Sequence, residues 1–178
     1  MTGLAREYGE GLYELARDED LRPQIHQQLQ EISDLLKQQP EFVRLLCSRA
    51  IERGTRLQVV QDTFGEQAHP YVLNFMKLLV EKEHFDAFLT CCQWFHERYN
   101  EDYRIVEARV SAAVALNDAD RTALKEKLEK ISGRKVKLIV SVDPSVIGGI
   151  RVEMDGKRYD NTIQNRLSRL KYSLQHSL

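Results

Sequence analysis

No stretch of these 178 residues is apolar over the ~20 positions that a membrane-spanning helix needs. The first eleven residues carry Arg6, Glu7 and Glu10 and no apolar core, so no secretory leader is expected there. Cysteine is scarce: Cys47, Cys91 and Cys92 cannot all pair with one another, and adjacent cysteines are poorly placed to bridge. A reduced, intracellular protein is expected rather than a disulfide scaffold.

Glycine-rich nucleotide loops are missing too. Gly9-Glu10-Gly11 begins like a dinucleotide loop, but Glu14 holds the third glycine's place and no strand precedes it. Gly148-Gly149 lacks the following Lys-Ser/Thr of a phosphate cradle, so a backbone turn is expected. The five histidines are scattered, none paired at i,i+4, and Cys91-Cys92 is not a zinc spacing. They are expected as surface histidines and core-filling thiols, with no metal or cofactor bound and no catalytic residues.

What is present is amphipathic helix. Leu4, Tyr8, Leu12 and Leu15 recur at steps of three and four. The pattern returns in Ile25, Leu29, Ile32 and Leu36, in Phe42, Leu45 and Leu46, and in Leu57, Val60 and Phe64. A fifth stripe has Val72, Phe75, Leu78 and Leu79; a sixth runs from Phe85 to Tyr99. Pro23, Pro40 and Pro70 suit first helical turns, and Gly54-Thr55 is expected as a break and cap. Short connections predict six antiparallel helices over residues 1–104.

Near residue 105 the period falls to two. Val106, Ala108, Val110, Ala112 and Val114 alternate with Glu107, Arg109, Ser111 and Ala113, the pattern of a half-buried strand. Asn117 or Asp118 can cap a helix with stripe Leu124, Leu128, Ile131 and a stop at Gly133. Val136, Leu138, Val140 and Val142 form a second strand; Ile150, Val152 and Met154 form a third. Asp155-Gly156 suits a tight hairpin returning through 157–160. Ile163, Leu167, Leu170 and Leu174 mark a closing helix. The fold class is thus α+β in two domains: a six-helix bundle over 1–104 and a small α+β unit over 105–178.

Charge divides along the same line. Residues 1–104 hold 12 Lys and Arg against 18 Asp and Glu, a net of −6, and residues 105–178 hold 14 against 9, a net of +5. The densest basic group is Lys125, Lys127, Lys130, Arg134, Lys135 and Lys137. It is diluted by Glu126 and Glu129 and lacks interleaved aromatics for base stacking, so a solvated face is favoured over a nucleic-acid-binding adaptor, the rival function. On the first helix, Gly9 and Gly11 each cost roughly 1 kcal/mol relative to Ala. Either another backbone approaches there, or packing rescues a locally weak helix.

In order and spacing these segments resemble the delta subunit of bacterial F-type ATP synthases, which is similar to the mitochondrial oligomycin-sensitivity-conferring protein. The resemblance rests on Tyr8-Gly9-Glu10-Gly11-Leu12-Tyr13-Glu14-Leu15-Ala16 and on Asn74-Phe75-Met76-Lys77-Leu78-Leu79-Val80-Glu81, with His84 where arginine is common. It continues in Lys135-Val136, in Val142-Asp143-Pro144-Ser145-Val146-Ile147-Gly148-Gly149-Ile150, and in Tyr159-Asp160-Asn161-Thr162-Ile163, with Thr162 where serine is usual.

The resemblance implies a non-catalytic stator that joins the catalytic head to the peripheral stalk and resists torque. The N-terminal helix of an α subunit would lie between the first and fifth helices, with Tyr8, Gly11, Leu12, Leu15, Phe75, Leu78 and Leu79 as candidate contacts. Which of these face the core instead is open, and core is the default for Leu12, Leu15 and Phe75. The second domain would bind stalk subunit b, with Arg166, Arg169 and Lys171 as a basic strip for an acidic partner. The expected location is peripheral, on the cytoplasmic side of a bacterial plasma membrane.

Overall fold

The structure, a computed structural model, describes residues 3–144, 146 and 148–160. The closing-helix positions Ile163, Leu167, Leu170 and Leu174 lie outside the described residues, as do Arg166, Arg169 and Lys171. Among the described residues there are seven α-helices and one four-stranded sheet, an α+β fold. The chain divides into two compact units, Met1–Tyr99 and Asn100–Leu178.

The first unit contains α1 (Gly3–Asp18), α2 (Arg22–Gln38), α3 (Pro40–Cys47), α4 (Arg53–Phe64) and α5 (Pro70–Glu81). A 3-10 turn at Phe85–Ala87 leads into α6 (Phe88–Asp102), which runs on past the division. Pro23, Pro40 and Pro70 each stand in a first turn, where the N–H that proline lacks would have had no helical partner. The second stripe is buried as expected: Ile25, Leu29, Ile32 and Leu36. Phe85, Phe88 and Phe95 are fully buried at the centre of the core.

Two expectations fail in instructive ways. Gly54-Thr55 is neither a break nor a cap: both residues lie inside α4, whose N-cap position, Glu52, makes no side-chain capping bond. The chain reverses before them, and Arg56 serves that reversal. Its guanidinium, 3% exposed, donates from Nη1 to the Leu46 carbonyl and from Nε to the Ile51 carbonyl, both at 3.1 Å. Hydrogen bonds from a charged donor stabilise by about 1.5–3 kcal/mol each, enough to hold a cation in the interior.

The second failure is on α1. Its buried face is Ala5, Gly9, Leu12, Tyr13 and Ala16. Leu4 and Tyr8 are half-buried and Leu15 is 41% exposed, so the apolar stripe is turned partly outward. Gly9 faces inward where α6 comes close. A Cβ on Gly9 would lie 3.1 Å from Cε3 of Trp94 and 3.3 Å from the Cys91 carbonyl oxygen. Tyr13 meets the same surface, edge-on to Phe95 with ring centroids 4.9 Å apart.

The histidines are not all plain surface residues either. His26 on α2 and His96 on α6 are half-buried, with Nε2 and Nδ1 in a hydrogen bond of 2.7 Å, and His26 stacks on Tyr99 at 4.0 Å. Seventy residues separate the pair in sequence, so no local spacing announces it.

In the second unit β1 (Ile105–Ala112) pairs in parallel with β2 (Lys135–Val142) through the crossover helix α7 (Asp118–Ser132). It also pairs antiparallel with β3 (Ile150–Met154), which pairs antiparallel with β4 (Lys157–Asp160), for a sheet order β2-β1-β3-β4. The Asn117 side chain accepts from the Asp120 N–H at 2.7 Å and starts α7; Gly133, with φ 66°, ends it. Asp155 and Gly156 take φ of 51° and 69°, as the hairpin requires. Gly148 and Gly149 also have positive φ, in keeping with a backbone turn.

Val106, Ala108 and Val110 are buried in one cluster with Leu128, Val136, Val152 and Met154, and Ala112 is buried as well. The strand stops short of Val114, which is 71% exposed. Both neighbouring ladders end at Ala112, so alternation continues past the last partner strand. Ile131, expected on the inward stripe of α7, is 57% exposed in the last turn before the reversal at Gly133.

Candidate functional site

The outward turn of the α1 stripe leaves an apolar trough between α1 and α5. Its volume is about 420 Å³. α1 contributes Glu7, Tyr8, Gly11, Leu12 and Leu15; α5 contributes Tyr71, Asn74, Phe75 and Leu78. Tyr8 lies 6.5 Å, ring to ring, from His84 just beyond the end of α5, so the two helices run antiparallel along the groove.

Six of the seven residues expected between these helices line the groove: Tyr8, Gly11, Leu12, Leu15, Phe75 and Leu78. Leu79 does not; it is fully buried in the core. Leu12 and Phe75 divide their surface, forming the groove floor while only 6% exposed. Leu15 and Leu78 stand on the walls, 41% and 37% exposed. Gly11 is exposed, and a Cβ built on it meets nothing within 4 Å. Its missing side chain therefore opens space within the groove, whereas the missing side chain of Gly9 admits α6.

Glu7, Tyr71 and Asn74 were not anticipated. Helical spacing could have found them: Tyr71 and Asn74 precede Leu78 by seven and four residues, and Glu7 precedes Gly11 by four. Gln28 is a further unanticipated residue. It clamps the turn ahead of α5, its Oε1 accepting from the His69 N–H at 2.8 Å and its Nε2 donating to the Gln67 carbonyl at 3.2 Å. The His69 side chain accepts from the Tyr71 N–H at 3.3 Å, which fixes the first turn of the helix that forms one groove wall.

Such a groove accepts the apolar ridge of another helix, with anchors at i, i+3, i+4 and i+7. Among the described residues no histidine, cysteine or basic side chain lines it. Among the described residues no group of three or more His, Cys, Asp and Glu could hold a metal ion, and no helix is long and apolar enough to cross a membrane.

The thiols differ by place. Burial raises the Cys91 pKa to about 11 and pushes Cys92 higher still. Cys47 is exposed; its pKa is raised by partial desolvation and by Asp86. A raised pKa leaves less thiolate at mildly alkaline pH, and burial denies the reagent access. At pH 8 an aromatic disulfide reagent should titrate Cys47 alone in the folded protein and all three cysteines in denaturant. Rapid native labelling of Cys91 or Cys92 would contradict this placement.

The basic residues between Lys125 and Lys137 are spread over α7, the turn after it and β2, and two of them are paired with carboxylates. Arg134 pairs with Asp155, Lys137 lies 3.9 Å from Glu107, and Glu129 is spent accepting from the Val136 N–H at 3.1 Å.

The family model described as ATP synthase delta (OSCP) subunit matches residues 4–174. Among curated relatives, ATP synthase subunit delta of Gloeothece citriformis is 28% identical over 96% of this chain and 94% of its own. The same subunit of Desulfitobacterium hafniense is 28% identical over 98% and 97%, and that of a Synechococcus strain 30% identical over 96% and 94%. In three dimensions a chain of the Toxoplasma gondii mitochondrial ATP synthase hexamer superposes with a TM-score of 0.72, covering 99% of this chain and 100% of that one at 17% identity. None of these relatives supports a nucleic-acid-binding adaptor.

Proposed function

Because the chain belongs to the ATP synthase delta (OSCP) family, we propose that it is a non-catalytic stator subunit of an F-type ATP synthase, mooring the catalytic head to the peripheral stalk. A rotating shaft turns the head with it unless the head is held, and a holder needs durable contacts rather than a reactive centre. The first domain, residues 1–104, grips the head: the N-terminal helix of an α subunit lies along the groove between α1 and α5. The second domain, residues 105–178, binds stalk subunit b through a basic strip that includes Arg166, Arg169 and Lys171. The complex holds the chain as a peripheral subunit on the cytoplasmic face of the bacterial plasma membrane.

The observation that carries this reading is the pair of exposed leucines, Leu15 and Leu78, facing one apolar groove on a chain of this family. Tagged protein drawn gently from native membranes should bring the α and b subunits with it. Synthase from cells lacking the chain should lose its head on washing and fail to couple ion flow to ATP formation. Recovery of neither subunit, or full coupling without the chain, would refute the assignment.

A further inference from the structure

The groove is apolar along its floor, but its two edges differ in charge. On α1 the exposed edge carries Glu7 and Glu14, with Gly11 between them. Seven residues are nearly two whole helical turns, so the carboxylates stand on one line about 10 Å apart along the axis. Glu7 lines the groove itself. The α5 edge is neutral over Tyr71, Asn74 and Leu78.

Cations near the α1 edge are already engaged: Arg6 pairs with Glu10 at 3.8 Å and Arg17 with Asp18 at 3.3 Å. Lys77, on α5, donates to Gln61 at 2.6 Å. Lys82 and His84 stand beyond the end of α5. Among the described residues neither Glu7 nor Glu14 enters an ion pair.

Resting on the groove assignment above, we infer that the groove selects an amphipathic helix with Lys or Arg along one flank, two turns apart, and that Glu7 and Glu14 set which way that helix is rolled. The apolar anchors supply affinity, and the carboxylates supply specificity and a faster encounter. Gly11 serves the same end. With no side chain between the two glutamates, the incoming flank reaches both.

The test uses the full chain and a synthetic peptide of the first turns of the α subunit from the same synthase, with a second peptide in which Lys and Arg are replaced by Gln. Glu7→Gln with Glu14→Gln should weaken binding of the first peptide roughly tenfold and flatten its salt dependence. Binding of the second peptide should not change. If the double variant binds the first peptide as the unmodified chain does, while Gly11→Leu still weakens binding at least tenfold, the charge inference is overturned and the groove assignment survives. If the unmodified chain binds neither peptide, the groove assignment falls and takes this inference with it.

Discussion

Gly11→Leu should weaken binding of the α-subunit peptide by about 10- to 100-fold and leave the chain as stable as before, or slightly more stable. The two effects have separate causes. On the folded chain alone, a Cβ at residue 11 meets nothing within 4 Å, so the substitution clashes with nothing. It also removes glycine from a helix interior, a gain of about 0.5–1 kcal/mol. In the complex the added side chain fills space that the incoming ridge needs. Overpacking costs typically 1–3 kcal/mol, and each 1.4 kcal/mol is tenfold in affinity. Calorimetric titration and thermal denaturation of the same sample check both halves. Unchanged affinity would remove Gly11 from the interface; a marked fall in melting temperature would mean that its surroundings are not open.

Gly9→Leu should do the reverse, costing about 2–3 kcal/mol of stability through a clash between α1 and α6. A Cβ there already lies 3.1 Å from the Trp94 ring and 3.3 Å from the Cys91 carbonyl oxygen. The ring can shift by a few tenths of an ångström, but the carbonyl belongs to helical backbone and resists. Three further carbons cannot fit unless the helices part, and parting them strips Tyr13 from Phe95. Gly9→Ala sets the scale. Its tight contact is opposed by helix propensity, so it should fall within about 1 kcal/mol of the unmodified chain. Urea unfolding is convenient here because Trp94 is the chain's one tryptophan and sits at the contact, so its emission reports the event directly. Equal midpoints for Gly9→Leu and the unmodified chain would show that α1 and α6 are not held this close.

These two glycines, two residues apart, were indistinguishable in the linear pattern. Both weaken a helix, and either could mark a close approach. Helical geometry sets them about 200° apart around the axis, but which side meets a neighbour depends on what α6 presents. The same limit explains α1 as a whole. Periodicity locates the stripe Leu4, Tyr8, Leu12, Leu15; it does not say how large the neighbour is. Trp94 and Phe95 are bulky, so α6 comes closest at Gly9, and the stripe is rolled toward the groove.

Arg56 and Gln28 were illegible for a different reason. Their partners are backbone groups at Leu46, Ile51, Gln67 and His69. Every residue but proline carries such groups, so composition gives no sign of them.

By itself, the order of residues determined the change of period at the start of β1, the proline-opened helices, the Asn117 and Gly133 boundaries of α7 and the Asp155-Gly156 hairpin. Each of these follows from contacts within a few residues, where backbone geometry and side-chain size suffice. Only the tertiary structure decided which side of α1 is core and which is groove, that Leu79 belongs inside, and where β1 loses its partners before Val114. Those outcomes depend on the size and reach of segments distant in the chain, and burial is settled by what packs against a residue.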